Sequence, residues 1–371
     1  MGSVYQETSL ANLPEFEILI EEPRYVREPV WMIGPRSYFA DRAVPLVEIS
    51  ATPARSFDGE SLRIDGTNEF RSTQSFLSRR EQILRLFRSR KIQKVEEDTY
   101  YVDLRIFGLE NWSHFLNKAL PLSIFVKNYV SKLGGKTSFV INEKVMRPII
   151  DLLDIFSINY ISTNYIVEAP LINVKFSNES VLDRRARDFL APISRNVDLF
   201  DIRSPLNKYN KIFLNRKFPS RSLINNEQVK TFLAKIGYQE LFMEEYAADE
   251  QIAIILQASD IVAIHGAALA PLIFREAQHG PFSFIEIAPP GHVVPFFREM
   301  VTSLSCKYRM VRGVPDAAMV GDAYSNVEKP SMLFTTKHSL RPFKIDILSL
   351  SFALRSMDDE DFPDQLIYEA I

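Results

Sequence analysis

The sequence is poor in residues that would commit it to several classes of protein. Its 371 residues include a single cysteine, Cys306, so the chain can form no intramolecular disulfide and no cysteine-based metal cluster. Glycine is also scarce, with 13 residues, which makes each glycine at a turn more informative. The shortage of cysteine favours a reducing compartment, and we expect a cytoplasmic protein.

Long apolar runs and an excess of positive charge are missing as well. No window approaches roughly 18 uninterrupted apolar residues, and the first residues lack the basic region and apolar core of a signal peptide, so we expect neither a leader nor a membrane span. The formal net charge is −3, whereas binding to a nucleic-acid backbone needs a basic face. We therefore expect a small ligand and no nucleic acid.

The chain has the composition and length of a folded protein with two domains of ordinary size. Hydrophobic residues make up 46% of it and charged residues 25%. We divide it into a strand-rich N-terminal segment (1–70), an N-terminal lobe (71–205), a C-terminal lobe (206–325) and a C-terminal helix with an acidic tail (326–371).

A basic amphipathic helix is predicted from Gln74 to Val95, where arginines alternate with apolar side chains. Such arginines usually solvate a helix face. The alternative is a peripheral contact with anionic lipid at the inner face of a membrane.

Strand and helix signals alternate along both lobes. In the first lobe, strands are predicted at 100–107 and 137–141 and helices at 111–133 and 144–156. In the second lobe, strands are predicted at 211–215, 239–243, 261–264, 282–288 and 308–312, with helices between them and Asp249 capping the helix before the third strand. This alternation is typical of a doubly wound α/β fold with parallel sheets.

The most informative stretch is the end of the 261–264 strand. His265 and Gly266 break the apolar run, and the small residues Ala267 and Ala268 open a predicted helix. The first N–H groups and the positive dipole end of such a helix suit an anion, most simply a diphosphate. Most turns of this kind bind nothing, and the alternative for His265 is a satisfied core histidine.

Two further strand ends of the second lobe carry charged side chains. Open α/β sheets bind ligands outside the carboxyl ends of their strands. Arg216, Lys217 and Arg221 follow the 211–215 strand, where guanidinium groups can neutralise phosphate oxygens; structural ion pairs are the alternative. Glu286 interrupts an apolar strand, so it is either buried with a partner or directed at a ligand ribose.

In the first lobe, Asn111, Trp112 and His114 stand where a predicted strand gives way to a helix. They would either line a cleft between the lobes or serve the fold, with Asn111 capping the helix and Trp112 and Phe115 filling the core. His114 suits acid–base work near neutral pH.

Taken together, these residues resemble glycosyltransferase family 61. The resemblance is carried by four elements in order: Asn111, Trp112, His114 and Phe115; Arg216, Arg221, Asn226 and Glu227; Glu250 and Gln251; and the run 265–269 with Phe274 and the strand 285–287. It covers roughly residues 100–312. The chain departs from the family at Ala268, whose methyl group replaces a second glycine, and in an insertion-like segment at 275–281. Without disulfides or anchors, it resembles the bacterial members associated with capsule or lipopolysaccharide assembly.

The resemblance implies a GT-B fold, in which an N-terminal acceptor lobe and a C-terminal donor lobe, both Rossmann-like, face each other across a cleft. It implies inverting transfer of a sugar from a nucleotide diphosphate donor, most simply a UDP-sugar, to a hydroxyl of a glycan or glycolipid acceptor. Asn111 and Trp112 would lie on the acceptor side, with His114 as the catalytic base. The donor would be held by Arg216, Arg221, His265, Gly266, Ala267, Ala268 and Glu286.

No metal or other cofactor is expected, because no Asp-x-Asp motif stands at a strand end of the donor lobe. Related two-lobe architectures also host other chemistry. A sugar-nucleotide epimerase, a polysaccharide pyruvyl transferase and a non-catalytic nucleotide- or glycan-binding protein therefore stay open as alternatives.

Overall fold

The computed structural model divides the chain into two compact units, one comprising 1–23 and 45–190 and the other 24–44 and 191–371. It describes residues 24–31, 37–44, 49–54, 92–93, 95–96, 99–107, 109, 111–132, 134–163, 166–167, 171–176, 209–217, 219–290, 296–301, 304–315, 317 and 340–358.

The first unit is built around a five-stranded mixed sheet. The first two strands of the chain, β1 (Arg24–Trp31) and β2 (Ser37–Val44), belong to the second unit and pair with each other in antiparallel fashion. The sheet strands are β3 (Ile49–Ala54), β5 (Thr99–Asp103), β6 (Lys136–Ile141), β7 (Tyr160–Ser162) and β9 (Leu171–Phe176), and the short pair β4 (Ile92–Gln93) and β8 (Ile166–Val167) stands apart. The strand order is β3-β9-β5-β6-β7, with all neighbours parallel except β3 and β9.

Helices connect the parallel strands of this sheet. Three consecutive helical segments form α1: Trp112–His114, the π-helical Phe115–Ala119, and Leu120–Lys132. The following turn contains Gly134 at a φ of 78°, a left-handed conformation that glycine adopts without strain. Helix α2 (Arg147–Ile155) then leads to β7.

The second unit contains an all-parallel, five-stranded sheet. Its strands are β10 (Lys211–Leu214), β11 (Gln239–Leu241), β12 (Asp260–Ile264), β13 (Phe282–Ala288) and β14 (Cys306–Arg312). They stand in the order β11-β10-β12-β13-β14, so the direction of winding reverses between β10 and β12. The doubly wound sheet predicted for this lobe is confirmed.

Helices cover both faces of the second sheet, so its central strands are buried on both sides and consist mainly of apolar residues. They are α3 (Asn226–Lys235), α4 (Ala248–Gln257), a 3₁₀ helix at Ala267–Phe274, α5 (Phe296–Val301) and α6 (Ile347–Asp358). One face forms a core in which strand residues such as Ile264, Ile285 and Ile287 pack with Leu350 of α6. Burial on two faces explains the nearly continuous apolar runs of β12 and β13.

Several predicted elements need correction in the first unit. The strand predicted at 100–107 ends at Asp103, because the backbone N–H of Arg105 turns back to donate to Asp103 Oδ1 at 3.0 Å, and Leu104–Phe107 is a 3₁₀ helix. The helix predicted from 144 begins at Arg147, where Pro148 suits the first turn. The sheet predicted as parallel is mixed, through β3.

The predicted basic helix 74–95 is wrong at its end, because Ile92 and Gln93 form a strand that pairs with Ile166 and Val167. Residues 74–91 lie outside the described residues. In the part of the chain that the structure describes, no helix combines the length and apolarity needed to cross a membrane.

In the second unit, the predicted cap at Asp249 is wrong. Ala247 precedes the helix, and its N–H donates to Glu250 Oε2 at 2.9 Å. The helix after His265 is 3₁₀ rather than α; it contains Pro271, which has no N–H to donate within a helix.

Candidate functional site

The candidate site lies at the carboxyl edge of the second sheet, between β10 and β12. Asn215 and Arg216 follow β10, and His265 and Gly266 follow the adjacent β12. The strand order reverses between these two strands, and in open α/β sheets such a reversal is where ligands bind, outside the carboxyl ends of the strands. The pairing of β10 with β12 therefore places these two strand ends side by side.

Arg216 lies directly against Gly266. Its Nη1 donates to the carbonyl oxygen of His265 at 3.3 Å, and a Cβ added to Gly266 would stand 1.9 Å from that nitrogen. A side chain at position 266 would therefore require the guanidinium that covers it to move. Nε of Arg216 is buried and has no hydrogen-bond partner, and none of the described residues forms an ion pair with this side chain.

Burial lowers the pKa of Arg216, and the negative charge of Glu244 opposes that shift. Burial also lowers the pKa of Arg221 to about 10, and the positive charge of Arg216 adds to the effect. Two half-buried guanidinium groups thus repel each other at the edge of the sheet. An anion bound between them would relieve this repulsion.

The third cation of the cluster has a different environment. Nζ of Lys217 pairs with Glu245 Oε1, and both side chains are about half exposed, at 49%. For Lys217, the structural ion pair that the sequence left open is the arrangement observed. An exposed pair of this kind contributes little to stability.

Backbone geometry sets Arg221 apart. Its φ is 59°, a left-handed conformation that is uncommon for residues with a side chain. Such outliers persist where the surrounding structure holds them, often at functional sites. Sequence reasoning missed this feature, because no glycine or asparagine marks the position.

Asn215 organises the turn after β10 and was also missed. Its Nδ2 donates to Asn226 Oδ1 at 2.8 Å and to Glu240 Oε1 at 2.6 Å, while its Oδ1 accepts the N–H of Arg216 at 2.8 Å. The side chain therefore ties the end of β10 to α3 and β11. The available signal was a polar residue immediately after three buried strand positions, which requires buried partners.

A hydrogen-bonded chain crosses three strands on one face of the sheet. His265 Nδ1 bonds to Glu286 Oε1, and the hydroxyl of Tyr308 donates to Glu286 Oε2 at 2.6 Å. Glu286 has no exposed surface, and His265 is 5% exposed. Of the two predicted environments for Glu286, the structure shows burial with partners, and His265 is likewise hydrogen-bonded and packed edge-on against Phe297.

Tyr308 was not predicted as part of this chain. It lies on β14 in register with Phe284, and the two rings pack edge to face at 5.4 Å. A buried carboxylate on a central strand requires donors from its neighbours, and a tyrosine on the next strand was the available signal.

Ala267 and Ala268 are half-buried and open the 3₁₀ helix, whose first hydrogen bond runs from Leu269 N–H to Gly266 O at 3.0 Å. Initial N–H groups of a helix have no partner within the helix. This opening adjoins Arg216 through Gly266.

The predicted residues of the first unit begin α1. Asn111 Oδ1 accepts the N–H groups of Ser113 at 2.9 Å and His114 at 3.4 Å, so Asn111 is the N-cap. Trp112 is 7% exposed and stacks on Phe115, whereas His114 is exposed. These capping and packing contacts serve the fold, and the acceptor-side role of Asn111 and Trp112 stays a prediction.

Two buried polar atoms of α1 have no partner. They are Nε1 of Trp112 and Oδ1 of Asn117, the latter within the π-helical segment. Irregular segments of this type often occur at functional sites.

The insertion-like segment after the 3₁₀ helix is anchored by a buried arginine. Arg275 Nη1 donates to the carbonyls of Ile255 at 2.6 Å and Ala258 at 2.7 Å, at the end of α4. Its guanidinium lies 4.0 Å from the ring centre of Phe282, and burial lowers its pKa to about 10. The segment therefore serves the fold.

The described residues support neither catalysis by a cysteine nucleophile nor a metal site. Burial raises the pKa of Cys306 to about 12, which makes its thiol a poor nucleophile at neutral pH. Within the described ranges, no three His, Cys, Asp or Glu side chains stand together as a set of metal ligands.

Comparison with known proteins adds the family. The model of glycosyltransferase 61 matches residues 112–294, a span that includes all of α1, both arginines and the run from His265 to Glu286. No curated protein matches the chain. The family match supports glycosyltransferase activity, and with it a sugar donor and an acceptor in general terms. Residues 112–294 of the chain belong to glycosyltransferase family 61.

Proposed function

We propose that this chain is an inverting glycosyltransferase of the GT-B type, acting on a nucleotide diphosphate sugar. The observation that carries the proposal is the pair Arg216 and Arg221 at the sheet edge, with lowered pKa values and mutual repulsion. In this proposal, UDP-sugar is the donor, and a glycan or glycolipid of surface polysaccharide assembly is the acceptor. The reaction takes place in the cytoplasm.

The diphosphate lies against the two guanidinium groups and the opening of the 3₁₀ helix. Guanidinium groups present paired donors that match phosphate oxygens, and a buried site strengthens each charged contact. Nε of Arg216, which is buried without a partner, supports the proposal, because the arginine retains unused donor capacity.

His265 contacts a phosphate or sugar hydroxyl from the same edge. Because Glu286 is bonded to His265 Nδ1 and to Tyr308, it acts through the imidazole rather than by touching the donor. A carboxylate in this position fixes the orientation of a histidine ring and the nitrogen that carries its proton.

The transfer step is a single displacement. The acceptor oxygen forms a bond to the anomeric carbon on the face opposite the leaving group, while the bond from that carbon to the diphosphate oxygen breaks. The acceptor proton passes to His114, and the electron pair remains on the departing phosphate, where the arginines stabilise the developing charge. Residues 206–325 are the donor lobe and residues 71–205 the acceptor lobe, with Asn111 and Trp112 on the acceptor side.

Donor binding tests the phosphate site. Nucleotide sugars, UDP and pyrophosphate are screened by thermal shift, since a ligand at 100-fold its Kd adds about 2.7 kcal/mol of stability. Calorimetry on Arg216→Ala should then show affinity for the same ligand reduced about 100-fold. Lys217→Ala is the matched control with unchanged affinity, because this lysine is paired with Glu245. Unchanged affinity in Arg216→Ala would place the phosphates elsewhere.

The turnover number, kcat, tests the assignment of His114 as the catalytic base. His114→Ala should lower kcat by about 100-fold or more with donor affinity intact, because it removes only the proton acceptor. His279→Ala, which changes an imidazole of the second unit, serves as the control with normal kcat. Full activity of His114→Ala rejects the assignment.

The other classes are separated by incubation with donor alone. An epimerase converts the sugar nucleotide without acceptor, whereas a transferase gives only slow hydrolysis. A binding protein without catalytic activity would take up nucleotide and be indifferent to the loss of His114.

A further inference from the structure

The turn that carries Arg221 is joined along its length to a segment near the C-terminus, residues 340–345. The N–H of Arg221 donates to Leu340 O at 3.0 Å. Beyond it, Phe343 N–H donates to Ser222 O at 3.0 Å, and Ile224 N–H donates to Phe343 O at 2.8 Å. The C-terminal segment thus forms a short parallel pairing with the turn.

Asn225 extends this pairing with its side chain. Its Nδ2 donates to Ile345 O at 2.9 Å, and its Oδ1 accepts the N–H of Ile345 at 3.1 Å. Asn225 precedes α3, where an asparagine usually caps the helix, yet its side chain forms no cap. The amide is used instead to bind the C-terminal segment, much as a backbone amide would.

The segment is itself firmly held. Phe343 is 4% exposed and Ile345 3%, and both belong to the main core of the second unit. Gly313 has no room for a side chain, because a Cβ would stand 2.3 Å from the Phe343 ring. The segment is therefore a fixed support for the turn.

Arg221 needs such a support. It adopts an unfavourable left-handed conformation, and the positive charge of Arg216 repels its guanidinium. Without the C-terminal segment, both effects favour a turn that moves Arg221 away from Arg216. The family match ends at residue 294, so this support lies outside the matched region.

We propose that Asn225 is a positioning residue of the donor site, which with residues 340–345 keeps Arg221 beside Arg216. The inference rests on the proposed function, because it assigns Arg221 to the donor diphosphate. Asn225 acts through Arg221, and its loss weakens diphosphate binding rather than chemistry.

The test measures Kd for pyrophosphate and for UDP by calorimetry on the full chain, well below its unfolding temperature. Asn225→Ala should raise Kd about tenfold, because the turn loses both amide bonds to Ile345. Gln228→Ala is the matched control with unchanged Kd, since it removes only the exposed bond from Asn225 Nδ2 to Gln228 Oε1. Asn225→Gln keeps the side-chain amide but displaces it, so this variant should give an intermediate Kd. It also provides a second measurement if the alanine variant folds poorly.

A double-mutant cycle separates positioning from general destabilisation. In an Arg221→Ala background, Asn225→Ala should cause no further rise in Kd, because the residue through which it acts is gone. A lower unfolding temperature with unchanged Kd overturns the inference alone, as does a full additional loss in that background. If wild-type protein binds neither pyrophosphate nor UDP, both the proposed function and this inference are wrong.

Discussion

Two arginines occupy the same local position in the two units and have opposite environments. Arg105 and Arg216 each stand two residues beyond the end of a parallel strand, after Asp103 and Leu214. Arg105 Nε donates to Asp103 Oδ1 at 2.9 Å and Oδ2 at 3.1 Å, and its Nη1 donates to Thr163 O at 3.0 Å. The side chain of Arg216, by contrast, has one hydrogen bond to the described residues, from Nη1 to His265 O.

The different environments of Arg105 and Arg216 indicate different roles for their positive charges. In the first unit, the strand ends in an aspartate, so the arginine is neutralised where it is buried and its donors are used within the fold. In the second unit, the strand ends in leucine, and burial lowers the pKa of an arginine without an ion-pair partner among the described residues. A buried and unpaired charge costs stability, so its retention favours a role in binding an anion.

The largest effect is expected for substitution of these two arginines by methionine. Arg105→Met should lower the free energy of unfolding by about 3–5 kcal/mol, because it leaves the Asp103 carboxylate buried without its partner. Arg216→Met should leave that free energy unchanged or higher, because it removes a desolvated charge. Urea unfolding of both variants measures the contrast.

The control for Arg105→Met is the double variant Asp103→Asn, Arg105→Met. It should recover most of the lost stability, since neither charge then remains. If Arg216→Met is as destabilising as Arg105→Met, then Arg216 serves the fold and the comparison between the units fails.

Gly266→Ala tests the role of Arg216 by displacing its side chain rather than by replacing it. The added Cβ would collide with Nη1 of Arg216, the far end of a flexible side chain, so the arginine can move while the backbone stays. The backbone of Gly266 has a φ of 159°, which residues with a side chain rarely adopt, so we expect the free energy of unfolding to fall by about 1–3 kcal/mol and diphosphate affinity to fall about 100-fold, as for the loss of the arginine itself. Calorimetry with pyrophosphate or UDP measures the affinity.

Gly280→Ala is the matched control for this variant. Gly280 has a φ of 79° and open space around it, so alanine costs stability there without reaching the site. Equal affinities of Gly266→Ala and wild type would show that Arg216 does not need its present position to bind the donor.

Sequence reasoning predicted the second sheet well, because its strands are buried on both faces and read as apolar runs separated by helices. The strand predicted at 282–288 has those bounds, and the 261–264 strand is extended by one residue to Asp260. The first unit was harder to predict. Hydrogen bonds between residues close in sequence, such as those between Asp103 and Arg105, end β5 at Asp103, although the strand-like sequence pattern continues beyond it.

The site was predictable as a set of strand ends but not as a set of contacts. Arg216 and His265 were found because topology alone brings adjacent parallel strand ends together. The partners of Asn225 and Glu286 depend on tertiary structure: Ile345 is far along the chain, and Tyr308 lies on another strand. No local pattern encodes such distant pairings.

The smallest effect is expected for Ser157 in the first unit and Arg221 in the second, the two non-glycine residues with positive φ in the described part of the chain. Glycine at either position should raise the free energy of unfolding by about 1 kcal/mol, because glycine adopts this conformation without strain. Ser157→Gly should leave pyrophosphate affinity unchanged, whereas Arg221→Gly should weaken it about tenfold, because one of the two guanidinium groups is lost.

Salt concentration sharpens this last comparison. Arg221→Gly also removes repulsion between Arg221 and Arg216, so its stability gain should exceed that of Ser157→Gly at low ionic strength. The excess should shrink as salt is added, because exposed parts of the two charges are screened over about 10 Å at 0.1 M salt and over shorter distances above that. Urea unfolding at two salt concentrations measures it. Equal gains under both conditions would show that repulsion between the two arginines is negligible and would remove the electrostatic reason for an anion between them.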